Sequence, residues 1–223
     1  MKTKLIMFTM LSSLVMANEI PTISVTGTGT ISSEPDTMKI VATVETSNPI
    51  SEEAVTDNTA IIKKTINLLK KTGLKEKDIK TENYTLNFRA DYSNDKEKKF
   101  FVTNQITITS KDLKNTGDIL SALNKGGVSN IGQVQFLISD KKELQDKAYK
   151  LAYEDAKEKA ALIANMENLQ ISPKEINLNQ SYPRPFVYSA ISNKALDSSV
   201  PITIPNSIDI SANINATFYM EKK

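Results

Sequence analysis

Two acidic residues near the start of the chain, Glu34 and Asp36, are the first side chains whose types and spacing could do chemistry. Paired carboxylates act as acid and base in glycoside hydrolysis, where they usually lie about 5–10 Å apart on separate elements. Glu34 and Asp36 instead share the turn around Pro35, so we expect Asp36 to accept hydrogen bonds from local backbone amides. We likewise interpret Asp155 and Lys159, one helical turn apart, as a surface ion pair rather than an acid–base couple.

The composition lacks both cysteine and histidine. Ser-His-Asp and Cys-His nucleophile systems are therefore excluded. The usual ligand sets for zinc, copper and haem are excluded as well. We accordingly expect no catalytic residues, no bound metal and no cofactor.

A pair of glycines, Gly27 and Gly29, resembles part of a phosphate-binding loop. That motif needs a strand before its glycines and a helix after them. Here a turn at Pro35 and a second strand follow. The glycines therefore predict a bulge or a close approach of another backbone.

The first 17 residues have the order of a cleaved secretory signal peptide. Lys2 and Lys4 precede an apolar run over residues 5–15, and Ala17 offers a small residue at the cleavage point. This segment holds two of the 28 basic residues and none of the 26 acidic ones, so its removal lowers the formal net charge from +2 to zero. A neutral chain argues against binding nucleic acid or anionic lipid. We expect no transmembrane span after cleavage.

Residues 140–167 have the clearest pattern in the chain, that of one long amphipathic helix. Asp140 can serve as the N-cap, and Glu143 three residues later would complete a capping box. Apolar residues then recur on one face: Leu144, Ala148, Leu151, Ala152, Ala156, Ala160 and Ile163. Four alanines in this stripe predict close packing on a flat surface, most naturally a β-sheet.

Strands and helices alternate in a mixed order along the rest of the chain. Period-two patterns predict strands at 20–31, 38–45, 79–92, 100–110, 128–139, 171–181 and 208–218. Helical patterns lie between Ser51 and Gly73 and between Asp112 and Gly126. This order predicts an α+β fold, a largely antiparallel sheet with helices packed on one face. We expect a single domain over 18–223, with an irregular, proline-rich loop at 182–206.

The loop contains the best candidates for binding a partner protein: Tyr182, Arg184, Phe186 and Tyr188. Exposed aromatic residues and arginine are enriched at interface hot spots. The alternative is a loop that folds back over the sheet edge and buries Phe186. The polar face of the last strand, around Asn215, either faces water or pairs with another subunit's sheet.

An ordered set of motifs resembles the SIMPL-domain family of exported bacterial proteins, which includes periplasmic immunogenic proteins and oxidative-stress defence proteins. The matching residues are Val25-Thr26-Gly27-Thr28-Gly29-Thr30-Ile31, Glu34-Pro35-Asp36, Gly73-Leu74, Asp78-Ile79-Lys80-Thr81, Gly126-Gly127-Val128, Phe136, Ala148, Ala152, Asp155, Ala156, Lys159 and Ala160. The chain departs from the family at 166–169, where relatives usually carry a glycine, and at 182–206. The resemblance implies an envelope protein without established catalytic residues, some of whose relatives form ring-like or channel-like oligomers.

We therefore expect a non-enzymatic protein of the periplasm, with an association to the outer membrane left open. It would act as a homo-oligomer or by binding other envelope proteins, in envelope integrity or oxidative-stress tolerance. One alternative is a binder of a small ligand, a sugar or lipid fragment, held between sheet and loop. A carboxylate-based hydrolase is the other alternative.

Overall fold

The computed structural model describes residues 20–91, 97–179, 186–188 and 203–223, so the predicted leader lies outside the described residues. The strands are β1 (Thr22–Ser33), β2 (Thr37–Asn48), β3 (Ile79–Asp91), β4 (Glu97–Ser110), β5 (Asn130–Ile131), β6 (Val134–Leu137), β7 (Leu169–Asn179), β8 (Phe186–Tyr188) and β9 (Ile208–Lys222). The helices are α1 (Ser51–Lys71), α2 (Thr116–Gly126) and α3 (Lys142–Met166), with short 3-10 helices at Glu76–Asp78 and Leu113–Asn115. The strand β8 interrupts the loop that the sequence predicts to be irregular.

The strands form two antiparallel sheets. The first has the order β1-β9-β7, and the second has the order β3-β4-β2-β6-β8, with β5 also paired to β2. This architecture confirms the predicted α+β class. The separation into two sheets arises because β1 pairs along its whole length with the last strand, from Thr22 opposite Tyr219 to Ser33 opposite Ile208, instead of with β2.

The second sheet is covered by α1, which packs on β2 and β4 and against α2. The buried sheet residues beneath these helices include Met38, Ile40, Ile106 and Ile108. The two helices touch closely at Gly126, where an added β-carbon would lie 2.3 Å from the Thr65 hydroxyl oxygen. The end of α2 follows from Gly127, whose φ of 92° favours glycine.

The helix α3 packs on the first sheet, as the sequence predicts. Its start differs from the prediction, because Lys141 is the N-cap and no capping box forms. The Asp140 carboxylate accepts a hydrogen bond from the Lys142 amide at 3.2 Å. Glu143 is instead drawn to Lys147, one turn later, with 2.6 Å between their charged atoms.

The fully buried residues of α3 are all alanine: Ala148, Ala152, Ala156, Ala160 and Ala164. The predicted stripe is therefore correct for its alanines and wrong for Leu151 and Ile163, which are 39% and 45% exposed. Periodicity places all of these residues near one side, but only side chains as small as alanine fit between helix and strand. The larger residues lie beside the contact. Among the described residues, no helix has the length and apolar content needed to cross a membrane.

Candidate interaction surface

The predicted partner-binding residues are only partly within the described structure. Tyr182 and Arg184 lie outside the described residues. Phe186 and Tyr188 are the ends of β8, where their backbones pair with Phe136 and Val134 of β6. The backbone at 186–188 thus extends the edge of the second sheet, and the role of the four side chains stays a prediction.

The glycine pair of β1 is explained by a close backbone approach. A β-carbon on Gly27 would lie 2.0 Å from the Ala152 carbonyl oxygen, and one on Gly29 would lie 2.2 Å from that of Ala148. No L-residue with a side chain fits at such a distance. The helix backbone occupies the space in which a phosphate would have to bind, so these glycines serve packing.

The ion pair predicted between Asp155 and Lys159 is present and also holds the helix to β1. Asp155 accepts hydrogen bonds from the Lys159 ammonium and the Thr28 amide, both at 2.7 Å. Lys159 also donates to the Thr26 carbonyl at 3.1 Å. The hydrogen bond from Lys159, followed by that from Thr28, lowers the pKa of Asp155. In the part of the chain that the structure describes, β1 has a partner strand on one side only, so this pair occupies part of its free edge.

The other acidic motif residue, Asp36, lies in the turn between β1 and β2. Its carboxylate links this turn to Ser139, just before the start of α3. Its carboxylate accepts hydrogen bonds from the Ser139 amide at 2.7 Å, the Ser139 hydroxyl at 2.6 Å and the Thr37 hydroxyl at 2.8 Å. Partial burial acts to raise the pKa of Asp36, but these hydrogen bonds outweigh it and hold the pKa below 3.8. The prediction that Asp36 bonds local backbone amides is wrong, because its amide donor is Ser139, which the fold brings in from 103 residues along the chain. With three donors on one carboxylate, the arrangement is structural rather than that of a general acid.

Within the described ranges, no three or more acidic residues converge in a way that could hold a metal ion.

A row of apolar side chains on β3 is exposed at the edge of the second sheet. Tyr84, Leu86 and Phe88 are 49%, 43% and 56% exposed. We call these three residues the β3 apolar row. The ring of Phe88 stacks against Phe100 of β4 with centroids 4.6 Å apart, so the row continues onto the neighbouring strand.

The row is exposed because the helices do not extend over it. Register places Leu86 opposite Val102, which is fully buried, so both lie on the helix-covered side of the sheet. The helix α1 packs on β2 and β4, whereas β3 lies one strand further out. The period-two pattern that predicts a strand at 79–92 also places these three residues on one face. The pattern does not indicate that α1 leaves this face exposed, because a strand in the middle of a sheet and one at its edge show the same alternation.

Comparison with known proteins gives a matching family and relatives named as periplasmic proteins. Residues 23–218 match the SIMPL family, described as a protein of unknown function (DUF541). The chain therefore belongs to the SIMPL family. It is 25% identical over 213 residues to the 26 kDa periplasmic immunogenic protein of Brucella melitensis and to that of Brucella abortus. Each alignment covers 89% of this chain and 85% of the relative.

Proposed function

We propose that this chain is an exported periplasmic protein without enzymatic activity, which works by self-association through the edge strand β3. The observation that carries the proposal is the β3 apolar row, three large side chains exposed on a strand that has no partner on its outer edge among the described residues. Exposed apolar groups on an unpaired edge favour pairing with another chain. The names of the Brucella proteins support a location in the periplasm. A role in envelope integrity or oxidative-stress tolerance would follow from such assembly.

The geometry of β3 suits pairing with a second copy of itself. After an irregularity between Thr81 and Asn83, the strand runs in unbroken register to Asp91. Antiparallel pairing of two copies about Leu86 would place Leu86 opposite Leu86 and Tyr84 opposite Phe88. Such an interface is symmetric, and its cross-strand pairs are apolar or aromatic. In the same register Arg89 would face Asn83, so like charges do not oppose each other.

The edges of the first sheet are less suited to such pairing. Asp155 and Lys159 occupy part of the free edge of β1. The strand β7 contains Pro173 and has a register shift between Pro173 and Glu175. Proline and bulges are the usual features that keep an edge strand from pairing.

The proposal is tested by the mass of the protein in solution, measured by light scattering over a range of concentrations. We expect an oligomer that dissociates when Leu86→Lys places a charge in the row. The control is Leu162→Lys, which adds the same charge on α3 at a residue that is 60% exposed. The control should assemble as the wild type does. A wild-type protein that stays monomeric at high concentration, or equal loss of assembly in both variants, would refute the proposal.

A further inference from the structure

A second surface lies at the end of α1, where two short segments meet. Residues 72–78 follow α1, residues 110–115 follow β4, and between them is a cleft of about 300 Å³. The Asn115 amide donates a hydrogen bond to the Thr72 carbonyl across the two segments. The Asp112 amide donates to the Ser110 hydroxyl at 3.1 Å, which fixes the second segment. The walls of the cleft are therefore held in place by the protein itself.

Three lysines line this cleft: Lys75, Lys77 and Lys111. We call it the basic cleft. All three are exposed, and none takes part in the ion pairs found among the described residues. Two acidic residues, Asp78 and Asp112, also line it, and the Asp78 carboxylate accepts a hydrogen bond from the Lys75 amide at 2.9 Å. The three ammonium groups therefore exceed the two carboxylates by one positive charge.

The end of the helix α1 does not cancel this positive charge. The C-terminus of a helix is its negative pole, because the last carbonyls lack partners. Here those carbonyls are capped: Leu69 accepts from the Thr72 amide at 3.0 Å, and Lys70 accepts from the Gly73 amide at 3.1 Å. The Thr72 carbonyl is capped by Asn115, as described above. The end of α1 therefore leaves the excess of one positive charge in the cleft in place.

A larger cavity of about 650 Å³ adjoins the basic cleft and shares Lys111 and Asp112 with it. Pro35, Leu113, Ile204 and Pro205 form the apolar part of its wall, and Glu34 and Lys114 are among its polar residues. Lys111 thus stands between the basic cleft and a cavity of mixed polarity. This arrangement fits a ligand with an anionic group at one end and an organic body at the other.

We propose that the basic cleft binds the phosphate group of a phosphate ester, with the organic part of the ligand in the adjoining cavity. Lysine binds phosphate as a point charge, and the three ammonium groups of the cleft can bind the oxygens of one phosphate. The ester is either a free small molecule or the headgroup of a lipid, since both offer the same chemistry. The net charge of zero that is expected after leader cleavage does not oppose phosphate binding, because such binding depends on the charge within the cleft. The proposal is independent of the assembly through β3.

The test is a calorimetric titration of the purified protein at low ionic strength with glycerol 3-phosphate. A parallel arm measures sedimentation with vesicles of phosphatidylglycerol and, for comparison, of phosphatidylcholine. The site variant carries Lys75→Gln, Lys77→Gln and Lys111→Gln. The matched control carries Lys63→Gln, Lys64→Gln and Lys150→Gln, which remove the same charge from exposed positions on α1 and α3.

We expect the site variant to bind at least about tenfold more weakly than the wild type, with the control within about twofold. Binding of glycerol 3-phosphate would show that the site accepts free phosphate esters, whether or not it also binds lipid headgroups. Binding of phosphatidylglycerol vesicles alone assigns it to lipid headgroups. The proposal is overturned if the wild type binds neither probe, or if both variants lose affinity equally. Circular dichroism of both variants checks that the fold is intact.

Discussion

Gly27 and Ala152 approach each other so closely that a β-carbon on the glycine would lie 2.0 Å from the alanine's carbonyl oxygen. One turn of helix away, Gly29 has the same relation to Ala148, at 2.2 Å. Glycines on β1 and alanines on α3 are therefore the two halves of one contact. Strand and helix meet backbone to backbone, with no room for larger side chains between them.

This contact predicts that Gly27→Ala is strongly destabilising. The added methyl group would meet helix backbone, which cannot move aside as a flexible side chain can. We expect a loss of about 3 kcal/mol in the free energy of unfolding, at the upper end for overpacking. Urea unfolding followed by circular dichroism measures it. In the control, Gly117→Ala in α2, the new group meets open space. That change should stabilise by about 0.5–1 kcal/mol, and a loss of similar size at both positions would disprove the steric explanation.

The hydrogen bonds of Asp36 predict a dependence of stability on pH. The folded pKa of Asp36 lies below its ordinary value of 3.8, so its contribution is fully present above that value. It is lost as the pH falls through the lower, folded pKa. We expect Asp36→Asn to cost about 1 kcal/mol at neutral pH, a charge-assisted hydrogen bond discounted for exposure.

Urea unfolding of Asp36→Asn and wild type between pH 7 and pH 2 tests this directly. The difference in stability should shrink as the pH falls below about 4. Glu34→Gln is the control, because Glu34 lies in the same turn but makes none of the bonds to Ser139. A difference that stays constant over the whole pH range would show that the charge of Asp36 is not involved.

Asp155 and Lys159 hold α3 to β1 through hydrogen bonds. We therefore predict that Asp155→Asn lowers the melting temperature more than Glu143→Gln does. Both changes break an ion pair at i, i+4 on the same helix. Only Asp155 also accepts a hydrogen bond from a strand, through the Thr28 amide. Thermal unfolding at low salt and at about 1 M NaCl measures both effects, since screening at high salt leaves only short-range contacts.

We expect the difference in melting temperature between the two variants to narrow at high salt without vanishing. Salt weakens the hydrogen bond from Thr28 to Asp155 less than it weakens the ion pairs. Equal melting temperatures for the two variants at low salt would mean that the strand contact contributes nothing.

Much of the fold is predictable from the sequence because helix and strand periods are local properties. The alternation in residues 208–218 and the alanine spacing in α3 identify their elements correctly. The pairing of β1 with β9 is not predictable in this way, because nothing near Thr22 indicates a partner at Tyr219. The two-sheet arrangement follows from that distant pairing.

The candidate surfaces are harder to predict, because exposure depends on what covers a face. Leu86 and Ile106 both lie on alternating strands, yet Leu86 is 43% exposed and Ile106 is 1% exposed. The helix α1 covers one strand and not the next. The basic cleft likewise depends on two segments, around Lys75 and Lys111, that only the folded chain brings together.

A buried asparagine under α1 gives the last prediction. Asn58 is 1% exposed, and its amide nitrogen donates to the carbonyls of Val44 and Val102, both at 3.2 Å. Its side-chain oxygen has no partner among the described residues. Asn58→Asp keeps the shape of the side chain but replaces the donor with a carboxylate that faces two carbonyl oxygens.

We expect Asn58→Asp to cost about 3 kcal/mol or more at pH 7, because a buried charge without a partner is strongly unfavourable. Burial should raise the pKa of the new carboxyl, so the cost should fall as the pH drops towards 4 and the group becomes neutral. The control is Asn48→Asp. The oxygen of Asn48 already accepts a hydrogen bond from the Ile50 amide at 2.9 Å, at the start of α1, where negative charge is favourable. Urea unfolding at pH 7 and pH 4 should therefore separate the two variants widely at the higher pH. Equal stabilities at pH 7 would show that Asn58 is hydrated rather than enclosed between α1 and the sheet.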